Sequence, residues 1–347
     1  MKKLLRKVIP KIFDYNAESE IRNNKNLTAV IYSIDRIGDA IACSIAIDAI
    51  RKYCKNAKII VICSRYSSTI FQSDPNIICY EIKNSNALLS ITKAAFEIKN
   101  MYGKVDLLFS PTAGNKIPPN IFMGILRARC NIVVEKSTLM MHQPEHGSTL
   151  NGSLFSMYKK ELEKYGLSAQ DRPSIVSREA AIEKKESFLK AIGIDNYIII
   201  NLDAFDKKRC FPSTIVKEIK YQFKEGNVNY IIVCPPEKIR EYKYIYNADS
   251  HIFIYDNVSS IHDNIAILKD AKLIVSPDTA LIHIASAFNI PTIAVYRDQH
   301  NAKYWPPVSD KNESIIIEED LNTCNEKKLS SEIVIKINIL MKAVTGL

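Results

Sequence analysis

Residues 272–296, KLIVSPDTALIHIASAFNIPTIAVY, decide the fold. The apolar run Leu273–Val275 ends at Ser276, as a buried strand does. Pro277, Asp278 and Thr279 make a short turn, and a helix is expected over 279–289. The stretch 290–296 then reads as the next strand. Strand, helix and strand in this order form a βαβ unit. The free N–H groups at the helix start, with the positive end of its dipole, suit a phosphate or diphosphate. Thr279 adds a hydroxyl, and His283 lies one turn further along the same face. A plainer reading stands beside this one. Ser276, Asp278 and Thr279 are good cap residues, and His283 can be a core histidine.

The pattern extends in both directions. Upstream, NYIIINL (196–202), VNYIIVC (228–234) and HIFIYD (251–256) read as strands separated by helical stretches, and a helix closes the chain over 330–345. The first half repeats the theme. LTAVIYSI (27–34), AKIIVICS (57–64), IICYEI (77–82), KVDLLFS (104–110) and CNIVVE (130–135) read as strands, with helices at 39–53, 87–102 and 121–129. Residues 141–175 open rich in Gly, Ser, Pro and His and read as loop, short helix and linker. Three regions result: a basic extension (1–26), a Rossmann-like domain (27–175) and a second one (176–347). The expected class is α/β with two doubly wound units. A ligand of such units belongs at the C-terminal ends of the strands, in the cleft between them.

The chain has 347 residues, 47% hydrophobic and 24% charged, the balance of a soluble globular protein. Its net charge of +9 favours an anionic partner. Eight cysteines include no CxxC pair and no clustered histidines, so no zinc site is expected and a reducing, cytoplasmic setting fits. No apolar run approaches the roughly 20 residues of a membrane span. Leu4, Leu5, Val8, Ile9, Ile12 and Phe13 fall on one helical face, with Lys3, Arg6, Lys7 and Lys11 mostly opposite. Two placements are open: a helix on an anionic membrane, or one docked on the protein itself, with Pro10 kinking either.

A second motif is DRIGDA (35–40), at the head of the first long helix. Asp39 reads either as the cap of that helix or as a chemical group. Gly38 would let the backbone turn tightly beside it. A carboxylate near the helix dipole is expected to stay ionised, as a weak base.

Together these stretches resemble glycosyltransferase family nine, the ADP-heptose:lipopolysaccharide heptosyltransferases. SPDTALIHIASAFNIPT (276–292) resembles the family's Asp-Thr-Gly…His signature, and DRIGDA its N-terminal Gly-Asp motif. NLDAFDKKRCFP (201–212) and VCPPEKIREY (233–242) resemble the loop opening its C-terminal domain and its nucleotide-contacting segment. Three departures stand out: Ala280 for the usual Gly, Phe211 for Trp, and Arg209 in the place of the phosphate-binding Lys, with Lys208 beside it.

The resemblance implies a GT-B architecture, two Rossmann-like domains facing across a central cleft. It implies inverting transfer of heptose from ADP-heptose to the lipopolysaccharide core, with no metal and no cofactor. Asp39 matches the catalytic base. Asp278, Thr279, Ala280 and His283 match donor contacts, with Ser276 and Gly38 supporting the loops. Glu237 matches the nucleotide contact, or is an ordinary first-turn glutamate. Lys208 or Arg209 would meet the phosphate. A peripheral contact with the cytoplasmic face of the inner membrane would suit an anionic acceptor. One alternative keeps the fold with another nucleotide sugar for a surface polysaccharide. A remote one is a non-catalytic nucleotide-binding protein. No nucleic-acid partner is expected, since no aromatic-rich basic stripe is present. Nothing in the sequence sets an oligomeric state.

Overall fold

The structure is a computed structural model that describes residues 11–22, 26–83, 88–111, 116–134, 139–142, 152–223 and 228–345. The basic stretch up to Pro10 and loop residues 143–151 lie outside the described residues. The chain divides into two compact units, Met1–Ser174 and Ile175–Leu347.

The first unit runs β1 (Thr28–Ser33), α1 (Ile37–Tyr53), β2 (Lys58–Ser64), α2 (Arg65–Phe71), β3 (Ile77–Ile82), α3 (Leu88–Tyr102), β4 (Leu107–Ser110), α4 (Ile117–Leu126), β5 (Cys130–Val133) and α5 (Leu154–Lys164). Its strands are parallel in the order β3-β2-β1-β4-β5. The chain winds outward from β1 to β3, then resumes on the other side with β4. That reversal leaves a crevice at the C-terminal ends of β1 and β4. Val30, Ile60, Ile62 and Leu108 of the sheet pack against Ile91, Ala94 and Ile98 of α3 and Phe122 of α4.

The second unit runs α6 (Glu179–Ile192), β6 (Tyr197–Asn201), α7 (Ile215–Gln222), β7 (Asn229–Val233), α8 (Ile239–Tyr246), β8 (Ile252–Ile254), α9 (Ile261–Lys269), β9 (Leu273–Pro277), α10 (Ala280–Ala287), β10 (Thr292–Tyr296), α11 (Gln299–Tyr304), β11 (Asn312–Ile316) and α12 (Glu326–Thr345). Its six parallel strands lie in the order β11-β10-β9-β6-β7-β8, with the reversal between β6 and β9. Ile198, Ile200, Val275 and Val295 pack with Ile215 and Ile219 of α7 and Ile333 and Ile337 of α12.

Some elements depart from the sequence expectation. α4 begins at Ile117 rather than 121, because two prolines fit the first turn, where no N–H bond is lost. It stops at Leu126, with Arg127 left-handed at φ 51. α2, α6, α11 and β11 are additional. α6 buries only Ala181, Lys185 and Phe188, too thin a stripe to show as helical periodicity.

Residues 13–18 dock on the first unit. A side chain at Gly124 would collide with Phe13, its Cβ falling 2.3 Å from the Phe13 Cβ. The Tyr15 hydroxyl donates to Ala128 O at 2.9 Å and accepts from Asn131 Nδ2 at 2.7 Å. Asp14 accepts the Met140 and Met141 N–H groups, each at 3.0 Å. Phe13 is therefore committed to the protein body, while Ile12 is exposed.

Candidate functional site

In the first unit the candidate from the sequence is Asp39. α1 starts two residues before it, so Asp39 does not head the helix but occupies its third position. It still serves the helix end, reaching back to accept the Arg36 N–H at 3.0 Å. Gly38 corrects a second expectation. It lies inside the same helical turn and is not among the glycines of positive φ, so no tight turn depends on it.

The electrostatics of Asp39 also run against expectation. Its carboxyl is pushed up to about 6, first by burial and second by the Asp35 carboxylate. The Arg36 N–H and the Lys116 ammonium act in the opposite sense and lose. Desolvation outweighs the helix dipole because a half-buried carboxylate does not recover its lost water from the backbone N–H groups of Arg36 and Asp39. The neighbouring loops are held locally. Ser67 Oγ donates to Ser33 O at 3.2 Å, and Ser64 Oγ to Asp35 O at 3.4 Å. Both serines belong to the start of α2. Lys116 is the N-cap of α4 and was not singled out from the sequence.

In the second unit the strand reversal brings the loop after β6 onto the loop after β9. Arg209 Nη1 donates to Asp278 O at 2.8 Å and to Asp278 Oδ2 at 2.9 Å. Beneath this pair, Asn201 Nδ2 donates to Ser276 Oγ at 3.0 Å and to Thr279 Oγ1 at 3.2 Å. Ser276 and Thr279 share a further bond at 3.1 Å. Thr279 caps α10, accepting the Leu281 N–H at 3.4 Å. Ala280 is the first residue of that helix and has no positive φ. Its Cβ therefore costs the turn nothing. The 276–279 turn thus carries two bonded sets, Arg209 with Asp278, and Asn201 with Ser276 and Thr279. Asn201, which joins Ser276 and Thr279, is 4% exposed and was missed as a site residue. The available signal was its place as the last residue of an apolar strand.

The two cations separate clearly. Arg209 is largely covered and paired with Asp278. Lys208 is 62% exposed, its Nζ 3.9 Å from Asp320 Oδ2. Asp320 is also paired with Arg297, which follows β10. Phe211 lies in the core, its N–H bonded to Leu202 O at 2.8 Å. Glu237 is exposed at the C-terminal end of β7 and stays outside both sets. Near it Asp203 accepts the Tyr242 hydroxyl on both oxygens at 3.0 Å, and burial pushes its carboxyl up.

His283 is 4% exposed, with its ring 5.0 Å from that of Trp305. Burial pushes it down to about 4, so it is neutral at neutral pH. It stands behind the turn and brings no charge to a ligand. Among the described residues no group of three or more His, Cys, Asp or Glu is placed to hold a metal ion, and no helix is long and apolar enough to cross a membrane.

Solved structures share this architecture. A glycosyl transferase family 9 protein of Veillonella parvula aligns with a TM-score of 0.71 at 15% identity, covering 92% of this chain and 99% of its own. Escherichia coli ADP-heptose lipopolysaccharide heptosyltransferase II gives 0.65 at 13% identity, covering 92% and 100%. E. coli heptosyltransferase WaaC, solved with ADP, gives 0.63 at 14%, covering 90% and 99%. These identities establish the GT-B fold and no more. A Haemophilus influenzae protein provisionally assigned as a glycosyltransferase is 31% identical over 102 residues. That match spans 28% of this chain and 29% of the relative's length. The profile of glycosyltransferase family 9 (heptosyltransferase) matches residues 142–334, more than half of the chain. The protein is therefore a glycosyltransferase and belongs to family 9.

Proposed function

We propose that the protein transfers heptose from ADP-heptose to the lipopolysaccharide core with inversion and without a metal. The observation that carries the donor half is the 276–279 turn at the strand reversal of the second unit, where Arg209 pairs with Asp278 and Asn201 bonds Ser276 and Thr279. It fixes a guanidinium and a helix N-terminus side by side, the pair of features a leaving diphosphate needs. Arg209 supplies the fork to one phosphate and Lys208 an exposed point charge. Asp278 orients Arg209 and meets the sugar, and Glu237 takes the ribose hydroxyls. His283 supports the Thr279 turn as a neutral ring.

Asp39 is the base. The acceptor oxygen attacks the anomeric carbon from the face opposite the diphosphate. Its proton passes to Asp39, and the breaking C–O bond leaves its electron pair on the ADP phosphate oxygen. A carboxyl raised to about 6 is a stronger base than an ordinary aspartate and is still mostly ionised at neutral pH. The charge of +9 suits the anionic acceptor, at the cytoplasmic face of the inner membrane.

The test is a donor screen by product mass. Purified protein is incubated with truncated lipopolysaccharide acceptors and either ADP-heptose or UDP-N-acetylglucosamine. A product carrying one added heptose is expected. Turnover with the UDP-sugar and none with ADP-heptose replaces this reading with the second one, another nucleotide sugar on the same fold.

A further inference from the structure

The lateral order of the second sheet sets a row of loops. Glu237 follows β7, Arg209 follows β6 and Thr279 follows β9, and the next strand in the row is β10. The loop after β10 carries α11 and an aromatic ladder. The His283 ring meets Trp305 at 5.0 Å, Trp305 meets Tyr304 edge-on at 5.8 Å, and Tyr304 stacks on His300 at 5.8 Å with 20° between planes. The ladder runs from a buried ring to an exposed one, with Tyr304 and Trp305 half-buried between.

This platform is fastened from several sides. The Tyr296 hydroxyl donates to Trp305 O at 2.7 Å. Asp298 caps α11 by accepting the Asn301 N–H at 2.7 Å, and its second oxygen accepts Asn301 Nδ2 at 2.8 Å. Ala302 packs against Ile282, Ala294 and Tyr296. Arg297, at the root of the loop, is tied to Asp320 and to Glu319 O. The loop that carries the rings is therefore fixed at its root, at the α11 cap and at Trp305 O.

We infer that α11 is the sugar-side wall of the donor site, with Tyr304 and His300 packing against the apolar face of the transferred pyranose. The inference rests on the donor half-site proposed above. If ribose lies at Glu237 and the diphosphate at Arg209 and Thr279, the sugar is the next group along the nucleotide. The β10 loop is the next loop along the row. A pyranose has a face rich in C–H bonds and an edge of hydroxyls. Aromatic rings with polar tips match both.

Trp305 is the sole tryptophan of the chain, so its fluorescence reports on this ladder directly. The experiment titrates the full-length protein with ADP and ADP-heptose, and separately with UDP and UDP-N-acetylglucosamine. Dissociation constants are taken from Trp305 emission and from calorimetry. In Tyr304→Ala and His300→Ala, the affinity for ADP-heptose is expected to fall about five- to tenfold, the scale of a lost aromatic contact, while that for ADP stays within about twofold. Tyr304→Phe keeps the ring and is expected to keep the affinity. Retained ADP binding also shows that each variant is folded. Equal losses for ADP and ADP-heptose, or no loss for either, overturn the wall. If the wild type binds only the uridine pair, the donor assignment fails and the wall is judged by the same criterion on that pair. If it binds none of the four, the donor site and the wall fall together.

Discussion

The two half-sites are built on opposite plans. Around Asp39 the partners are backbone N–H groups and charges: the Arg36 N–H at 3.0 Å, its own N–H, a like charge at Asp35 and an opposite one at Lys116. Around Thr279 the polar structure is dense in side chains: Arg209 with Asp278, and Asn201 with Ser276 and Thr279, share bonds of 2.9 to 3.2 Å. The difference fits the two tasks proposed for them. A base must change its protonation state during the reaction, so its charge cannot be fully satisfied beforehand. An anion-binding turn must not change, so its donors are fixed in advance.

The sharpest way to break this comparison is Asp39→Asn. The amide keeps a side-chain oxygen for the Arg36 N–H but cannot take a proton. Turnover is expected to fall by about 10²- to 10⁴-fold, the span of general-base catalysis, with binding of ADP unchanged. In the wild type the acid limb of the rate should rise through about pH 6, because the base works only when ionised. A rate flat from pH 5 to 8 would show that Asp39 is structural.

Arg209→Ala attacks the other plan. It removes the guanidinium and leaves the Asp278 carboxylate without its ion-pair partner at the proposed diphosphate site. The expected loss in kcat/KM is about 10²- to 10³-fold, as for one preorganised donor to a developing anion. Arg209→Lys should recover part of it. Lys208→Ala, at an exposed side chain, should cost far less. If the two alanine variants were equal, the division between the cations would be wrong.

Asn201→Ala tests whether the dense turn acts as a unit. It deletes the two side-chain links from β6 to the α10 turn. About tenfold in kcat/KM should go, mostly through KM for the donor. Stability should drop by about 1 to 3 kcal/mol, from buried hydroxyls left without that donor. A loss of stability with kinetics untouched would make Asn201 merely structural.

Much of this organisation was legible in the sequence, for a specific reason. Parallel strands buried on both faces are continuous apolar runs, so Tyr197–Asn201 and Lys58–Ser64 were each read to within one residue at their ends. Elements that bury little gave no such signal. β11 sits at the sheet edge and alternates exposed positions, and α11 buries no residue fully. The motifs placed Asp39 and Asp278, but not what surrounds them. Arg209 and Asp278 are 69 residues apart, and only the strand reversal shows that they pair. The raised carboxyl of Asp39 was misjudged for a similar reason. A helix dipole can be read from sequence, whereas the burial that overrides it depends on the packed fold.

That override predicts the smallest effect, and its sign is fixed. Asp39 has a folded-state value of about 6 against an ordinary 3.8. Below pH 4 it is neutral in both folded and unfolded chains and costs nothing. Between pH 4 and 6 the unfolded chain loses its proton first, so the folded state binds more protons and stability falls as pH rises. Above pH 6 the cost is constant. The amide of the Asp39→Asn variant never ionises, so that variant should match the wild type near pH 4 and be the more stable protein above pH 6. The gain should be about 1 to 2 kcal/mol, less than the full shift implies because the group is only half-buried. Urea denaturation of both proteins at pH 4, 5, 6 and 7.5 measures it. A variant that loses both activity and stability at pH 7.5 would mean that the Arg36 N–H and Lys116 outweigh burial. The Asp39 half-site would then be a satisfied cap like any other, and the contrast with the Thr279 turn would disappear.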